Sequence, residues 1–290
     1  MSAPHDSASL FLFVPADRPE RFEKAAVAGA DAIIVDLEDA VAPAAKDGAR
    51  AGLASGLASL PKTIPVFIRI NGIGMPGHKA DLALAETLSV AGVVLPKAER
   101  AEDVRGIRSG LAGKTLIALI ETAAGLAEAD GVAKASDRLA FGSVDFAADL
   151  GCAHFRDALL LARNRLVLAA RLAGQAQPID GVTLSIKDEA AVENDARYAV
   201  SLGFGGKLLI HPAQVAPSRR GLAPDEQDVA WAERIVASSA DGGAREYIPQ
   251  PRSGGLRRRR RWLRAAAAGR PIGQLHEEFH PAARGSRASR

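Results

Sequence analysis

AIIVDLED (32–39), TLIALIET (115–122) and RLAFGSVD (138–145) decide the fold. Each run opens apolar and closes on carboxylates: Asp36 and Glu38, then Glu121, then Asp145. PVFIRIN (65–71), GVVLPK (92–97) and KLLIHP (207–212) follow the same plan, ending on Arg69 and Asn71, Lys97, and His211. Apolar strands separated by helices read as a parallel sheet covered on its outer side. In a closed parallel barrel, strand ends on one face converge on a single pocket. A pocket rich in carboxylates and holding an arginine suits metal-assisted chemistry on an anionic substrate.

Working outward, strands are expected at 9–15, 32–38, 65–71, 92–96, 115–121, 138–142, 181–185 and 207–211. Helices are expected at 19–28, 43–60, 78–87, 100–111, 125–135, 155–173, 188–202 and 224–239, with a loop leading from strand 138–142 into helix 155–173. Val104, Ile107 and Leu111 share a helical face in one of them. Eight strand–helix units predict an α/β fold, a closed TIM (β/α)8 barrel, over an open doubly wound sheet. The barrel is assigned to residues 1–240, and 241–290 to a C-terminal extension without strand periodicity.

The 290 residues are 48% hydrophobic and 24% charged, as expected of a globular protein. The single cysteine, Cys152, excludes an intramolecular disulfide framework and fits a reducing, cytoplasmic setting. No apolar run approaches the ~20 residues of a membrane span. The N-terminal stretch lacks the basic start and apolar length of a signal peptide. The net charge of +3 hides a division. Residues 251–290 hold eleven Arg and two Glu, leaving 26 of 37 basic and 32 of 34 acidic side chains to residues 1–250, a net −6. The basic tail reads as solvated and poorly ordered rather than as a nucleic-acid site.

Glu121 and Asp145 follow adjacent strands and suit a hard divalent cation, which takes oxygen ligands and fills its remaining positions with water and substrate. Unrelated surface acids are the alternative. Alternation along an extended strand places Asp36 and Glu38 on one face. They could hydrogen-bond water around such a cation, while Asp39 could instead cap the next helix. Arg69 inside an apolar strand needs an anionic partner: either a substrate carboxylate gripped by its planar fork, or Asp36 or Glu38. Nearby acids should keep Lys97 charged, which argues against a Schiff base. His211 reads as a packed, hydrogen-bonded residue rather than a base.

Together, LFVPADRPERFEKAAVAGADAIIVDLEDAVAPAAKDGAR, FIRING, GVVLPKAE, LIALIETAAGL, LAFGSVDFAADLG and GKLLIHPAQV resemble the HpcH/HpaI aldolase family, in its citrate lyase β-subunit-like branch, over roughly residues 9–240. The resemblance implies a TIM barrel and Mg²⁺-dependent making or breaking of a C–C bond in a 3-hydroxyacyl-CoA thioester of the citryl, malyl or citramalyl type. It implies Glu121 and Asp145 as Mg²⁺ ligands, Arg69 as the residue holding the substrate acid, and Glu38 and Asp39 as contacts to the cation's water. Backbone groups around Gly142, Ser143 and Val144 would seat the acid. A CoA thioester and a 2-oxo acid are the implied small-molecule partners, and a homotrimer or hexamer the implied assembly. Two alternatives stay open: a free-acid aldolase using pyruvate enolate, and a barrel that binds an oxo acid or acyl-CoA without catalysis. The branch commonly ends in a G-x-(M/I)-(I/V)-D-x-P segment whose Asp serves as acid/base in some members. Here the stretch reads GGAREYIPQPRSGGLRRRRR, without that Asp. Either this chain works without it, or the tail comes from a shifted reading frame, as its Ala/Arg/Gly bias would suggest.

Overall fold

A computed structural model describes residues 8–224, apart from residue 112, together with residue 230. Eight parallel strands close into a barrel in sequence order. They are β1 (Leu10–Pro15), β2 (Ala32–Asp36), β3 (Val66–Arg69), β4 (Gly92–Leu95), β5 (Thr115–Ile120), β6 (Arg138–Phe141), β7 (Ile179–Asp180) and β8 (Gly206–Leu209). β8 closes on β1 through Leu10↔Lys207 to Leu12↔Leu209. The helices are α1 (Phe22–Ala26), α2 (Lys46–Ala58), α3 (His78–Thr87), α4 (Ala101–Gly110), α5 (Ala123–Ala127), α6 (Ala129–Ala135), α7 (Ser143–Leu150), α8 (Arg156–Leu172), α9 (Glu189–Leu202) and α10 (Val215–Leu222). None of these is long and apolar enough to cross a membrane.

The period-2 side-chain alternation of strands sorts the core into two shells. Phe11, Ile34, Phe67, Val94, Ile117, Leu119, Ala140, Ile179 and Leu208 form one buried cluster. Residues from strands all around the ring can touch one another only inside the barrel. Their sequence neighbours, Leu12, Ile33, Val35, Ile68, Val93, Leu95, Ala118, Ile120 and Leu209, belong to a second cluster with residues from the helices. Continuing the inward phase one more step reaches Asp36, Arg69, Glu121 and Gly142. The polar site is therefore the top layer of the same stack that is apolar below. Gly92 belongs to the ring's tight spacing: a Cβ there would meet the Thr115 backbone carbonyl carbon at 2.9 Å.

Several expectations need correction. The seventh strand is the pair Ile179–Asp180 rather than 181–185. Gly181 must pass against Ser143, where a Cβ would lie 2.6 Å from the Ser143 Cβ, and that approach displaces the following chain from the ladder. The connection after β6 is helical, α7, rather than a loop. The helix expected at 125–135 is two helices, the first capped by the Thr122 hydroxyl, which accepts from the Gly125 N–H. A 3₁₀ turn at Pro212–Gln214 and α10 follow β8. Apart from residues 224 and 230, the helix expected at 224–239 lies outside the described residues, as does the extension 241–290.

Candidate active site

β2 ends at Asp36, two residues short of Glu38, so Glu38 is placed by the turn that follows rather than by strand alternation. Asp36 itself builds that turn. Its Oδ1 accepts from the Glu38 N–H at 2.9 Å and its Oδ2 from the Ala40 N–H at 3.1 Å. The same two oxygens grip Arg69, accepting from Nε at 2.7 Å and Nη2 at 2.6 Å. Asp36 is thus fully occupied and does not face bound water. Its job is to fix both the acidic turn and the arginine.

Arg69 consequently meets the two alternatives half-way. Its Nε/Nη2 edge is taken by Asp36, while Nη1 reaches Glu38 Oε2 at 3.1 Å and Asp39 Oδ2 at 3.7 Å. Its guanidinium lies 4.8 Å from the centre of the Phe13 ring. Burial alone would lower the guanidinium's pKa, but Asp36 and Glu38 hold it above its usual range. Asp39 is exposed and caps no helix: the turns at 43–45 and α2 have no side-chain cap.

Glu121 follows β5 and is 1% exposed. One oxygen, Oε1, accepts from the Lys97 backbone N–H at 2.9 Å. The other, Oε2, is buried without a hydrogen-bond partner. Burial, reinforced by the Glu38 charge, pushes its carboxyl up to about 8. Asp145, on the first turn of α7, is close enough for its charge to add to this rise. Glu38 is also raised by burial, against the pull of Arg69 and Lys97. Lys97 Nζ lies 2.8 Å from Glu38 Oε1 and 3.7 Å from Glu121 Oε1. These carboxylates keep its ammonium charged despite partial burial, as the sequence suggested.

Gly142 is the N-cap of α7 and packs on Glu121, whose Cβ would stand 2.5 Å from an added methyl. Ser143 and Val144 open α7, where the first N–H groups of a helix have no intrahelical acceptor. The Ser143 hydroxyl is 2.9 Å from His154 Nε2. Burial, with the Arg163 charge, keeps that imidazole below its usual range.

An oxygen-only donor set containing a partnerless buried carboxylate oxygen fits Mg²⁺, which commonly takes one or two protein carboxylates. Among the described residues, no three His, Cys, Asp or Glu form a ready-made metal cage. Glu121 and Asp145 would hold the ion, and the other positions belong to water and substrate.

Residues not anticipated from sequence lie close by. Asp81 accepts from the Asn71 N–H at 2.8 Å and ion-pairs with Arg50 at 2.9 Å, anchoring the turn after β3. Behind β7 and β8, Asp180 accepts from Arg163 Nε and Lys207 Nζ, each at 2.9 Å, and Asp195 accepts from the same Lys207 at 2.8 Å. Lys207 opening an otherwise apolar run was the one available signal. His211 is hydrogen-bonded, its Nδ1 accepting from the Ala213 N–H, but it is exposed rather than packed.

A parallel barrel that gathers carboxylates, an arginine and a helix N-terminus at its strand ends has the layout of a barrel enzyme's active site. The chain belongs to the HpcH/HpaI aldolase/citrate lyase family, whose model matches residues 9–212. It is 37% identical over 238 residues to a citrate lyase subunit beta-like protein of Mycobacterium tuberculosis, covering 79% of this chain and 84% of the relative. It is 32% identical over 272 residues to an L-malyl-CoA/beta-methylmalyl-CoA lyase of Cereibacter sphaeroides, covering 81% and 85%. A crystal structure of protein CitE from M. tuberculosis in complex with magnesium, acetoacetate and coenzyme A superposes with a TM-score of 0.74 at 35% identity, covering 84% of this chain and 91% of that one.

Two outcomes are expected. Gly142→Ala should displace Glu121 and weaken Mg²⁺ binding at least tenfold in calorimetry, while circular dichroism shows the barrel intact; unchanged affinity would contradict the packing. Because Glu121 must lose its proton to bind a cation, Mg²⁺ affinity should fall about tenfold for each pH unit below about 8 and level off above it. A titration series from pH 6 to 9 with no slope would refute this.

Proposed function

We propose that this chain is a Mg²⁺-dependent carbon–carbon lyase. It cleaves a 3-hydroxyacyl-CoA thioester of the citryl, malyl or citramalyl type into an acyl-CoA and a 2-oxo acid, or joins them. The observation that carries the reading is the buried Glu121 Oε2, without a partner, at the mouth shared with Arg69 and the start of α7. The family and the malyl-CoA lyase relative support the reaction class.

Glu121 and Asp145 would hold the ion, which when bound would supply Lewis-acid polarisation of the substrate. Ser143 and Val144 N–H groups receive the acid end at the helix N-terminus, with Gly142 allowing the close approach. Arg69, clamped by Asp36, presents Nη1 where negative charge develops. Cleavage removes the proton of the 3-hydroxyl, the C–C electrons pass into the thioester as its enolate, and a proton returns to the new α-carbon. Glu38 and the solvent-facing Asp39 are the acceptors beside Arg69 for that hydroxyl proton. Asp36 fixes the direction of the guanidinium while offsetting part of its charge. A preorganised donor of this kind is worth roughly 3 kcal/mol of barrier.

A coupled assay with malyl-CoA, citramalyl-CoA and citryl-CoA is expected to show Mg²⁺-dependent turnover of at least one. Arg69→Met should lower kcat on that thioester about a hundredfold. Metal binding without turnover of any thioester by the unaltered protein would defeat the reading.

We also assign a cytoplasmic homo-oligomer, a trimer or hexamer, with neither nucleic acid nor membrane as partner. One face of α8 supports a subunit contact: Leu161, Leu168 and Leu172 are all exposed at helical spacing. Sedimentation equilibrium should return three or six times the 30.2 kDa chain mass; a monomer at all concentrations would rule it out.

A further inference from the structure

Lys97 carries an unusual backbone. Its φ is +48°, and among the described residues it is the only non-glycine with a positive φ. An L side chain tolerates this region at a cost, and such strain collects where geometry is put to use. At Lys97 the geometry does two things at once. The main chain turns its N–H onto Glu121 Oε1 at 2.9 Å, while Oε2 stays buried without a hydrogen-bond partner. The side chain returns over the same carboxylate, placing Nζ 2.8 Å from Glu38 Oε1 and 3.7 Å from Glu121 Oε1. A relaxed backbone at 97 would send one of these groups elsewhere.

The charges around it explain why a cation is held there. Asp36, Glu38, Asp39 and Glu121 gather around Arg69 and Lys97, with Asp145 beside Glu121, and Arg69 is committed to Asp36. Glu38 and Glu121 are almost fully buried. Lys97 is different: its side chain is 45% exposed, so its ammonium can reach solvent. It is a solvent-accessible positive charge resting on Glu38 and beside Glu121.

We infer that Lys97 is a positioning residue of the cation site, its N–H setting the Glu121 carboxylate and its ammonium occupying the divalent ion's electrostatic place until an anionic substrate draws it off. This rests on the function proposed above and deepens it. An ammonium and a divalent cation within a few ångströms of one carboxylate repel each other. Metal alone must therefore displace Lys97 into solvent, whereas metal arriving with a 2-oxo acid gives the ammonium a new anion to face. The two ligands bind with positive coupling, and by linkage each tightens the other by the same factor.

The test is calorimetry with Mn²⁺ as the probe metal, with and without oxaloacetate, on the full chain. Glu121→Gln serves as the control that the measured binding is at this site. Lys97→Met removes the charge but keeps the length; Lys97→Gly keeps the N–H and relieves the positive φ, so a folding defect in the first does not stop the experiment. In each, Mn²⁺ alone should bind about tenfold tighter than in the unaltered protein, and oxaloacetate should tighten it by a smaller factor. Unchanged or weaker Mn²⁺ binding in a folded variant, or undiminished coupling, would overturn the inference. Neither result depends on turnover. Loss of thioester cleavage in the unaltered protein would count against the proposed function and leave the assignment of Lys97 to stand or fall on binding alone.

Discussion

The site depends on the bidentate grip of Asp36 on Arg69. A guanidinium and a carboxylate removed from water are costly unless geometry and hydrogen bonds are close to ideal. Here both Asp36 oxygens accept two hydrogen bonds apiece, from Arg69 and from the backbone of residues 38 and 40. The pair spans neighbouring strands, β2 and β3, at the register Asp36↔Arg69. It therefore locks the top of the barrel and shapes the acidic turn in one arrangement. Remove either partner, and the other is a buried charge with the turn unsupported.

What the grip creates is a pocket with more carboxyl groups than its own cations pair. Glu38 and Glu121 are both raised by burial, and Lys97 is held charged between them. Such a site is poised for a divalent cation. The strain at Lys97 and the bare backbone of Gly142 are two local costs of the same design. One aims an N–H at Glu121, and the other lets the helix carrying Asp145 pack directly against that residue. Behind them, the buried Asp180–Lys207–Asp195 ion pairs tie β7, β8 and α9 together beneath the His154–Ser143 contact. The helix N-terminus thus has a fixed foundation where β7 itself is only two residues long.

The barrel was legible in the sequence because repeated apolar runs with polar ends admit few packings. Even the parity of the site could be read: Ile34 and Asp36, Phe67 and Arg69, Leu119 and Glu121 keep one phase. The reading failed where local pattern and packing part company. GVTLS looks like a strand, yet the close contact of Gly181 with Ser143 ends the ladder at Asp180. FGSVDFAADLG reads as a strand running into a loop, yet SVDFAADL is a helix once Gly142 turns the chain.

The sequence alone determined the number of strands, their common direction and the identity of the side chains at their carboxyl ends, because alternation and apolar content are properties of short segments. Only the tertiary structure decided which of those side chains meet. That Asp36 belongs to Arg69, that Glu121 keeps an oxygen unpaired, and that Lys97 turns back over two carboxylates depend on inter-strand register and on one left-handed residue. These are long-range and steric facts that no window along the chain contains.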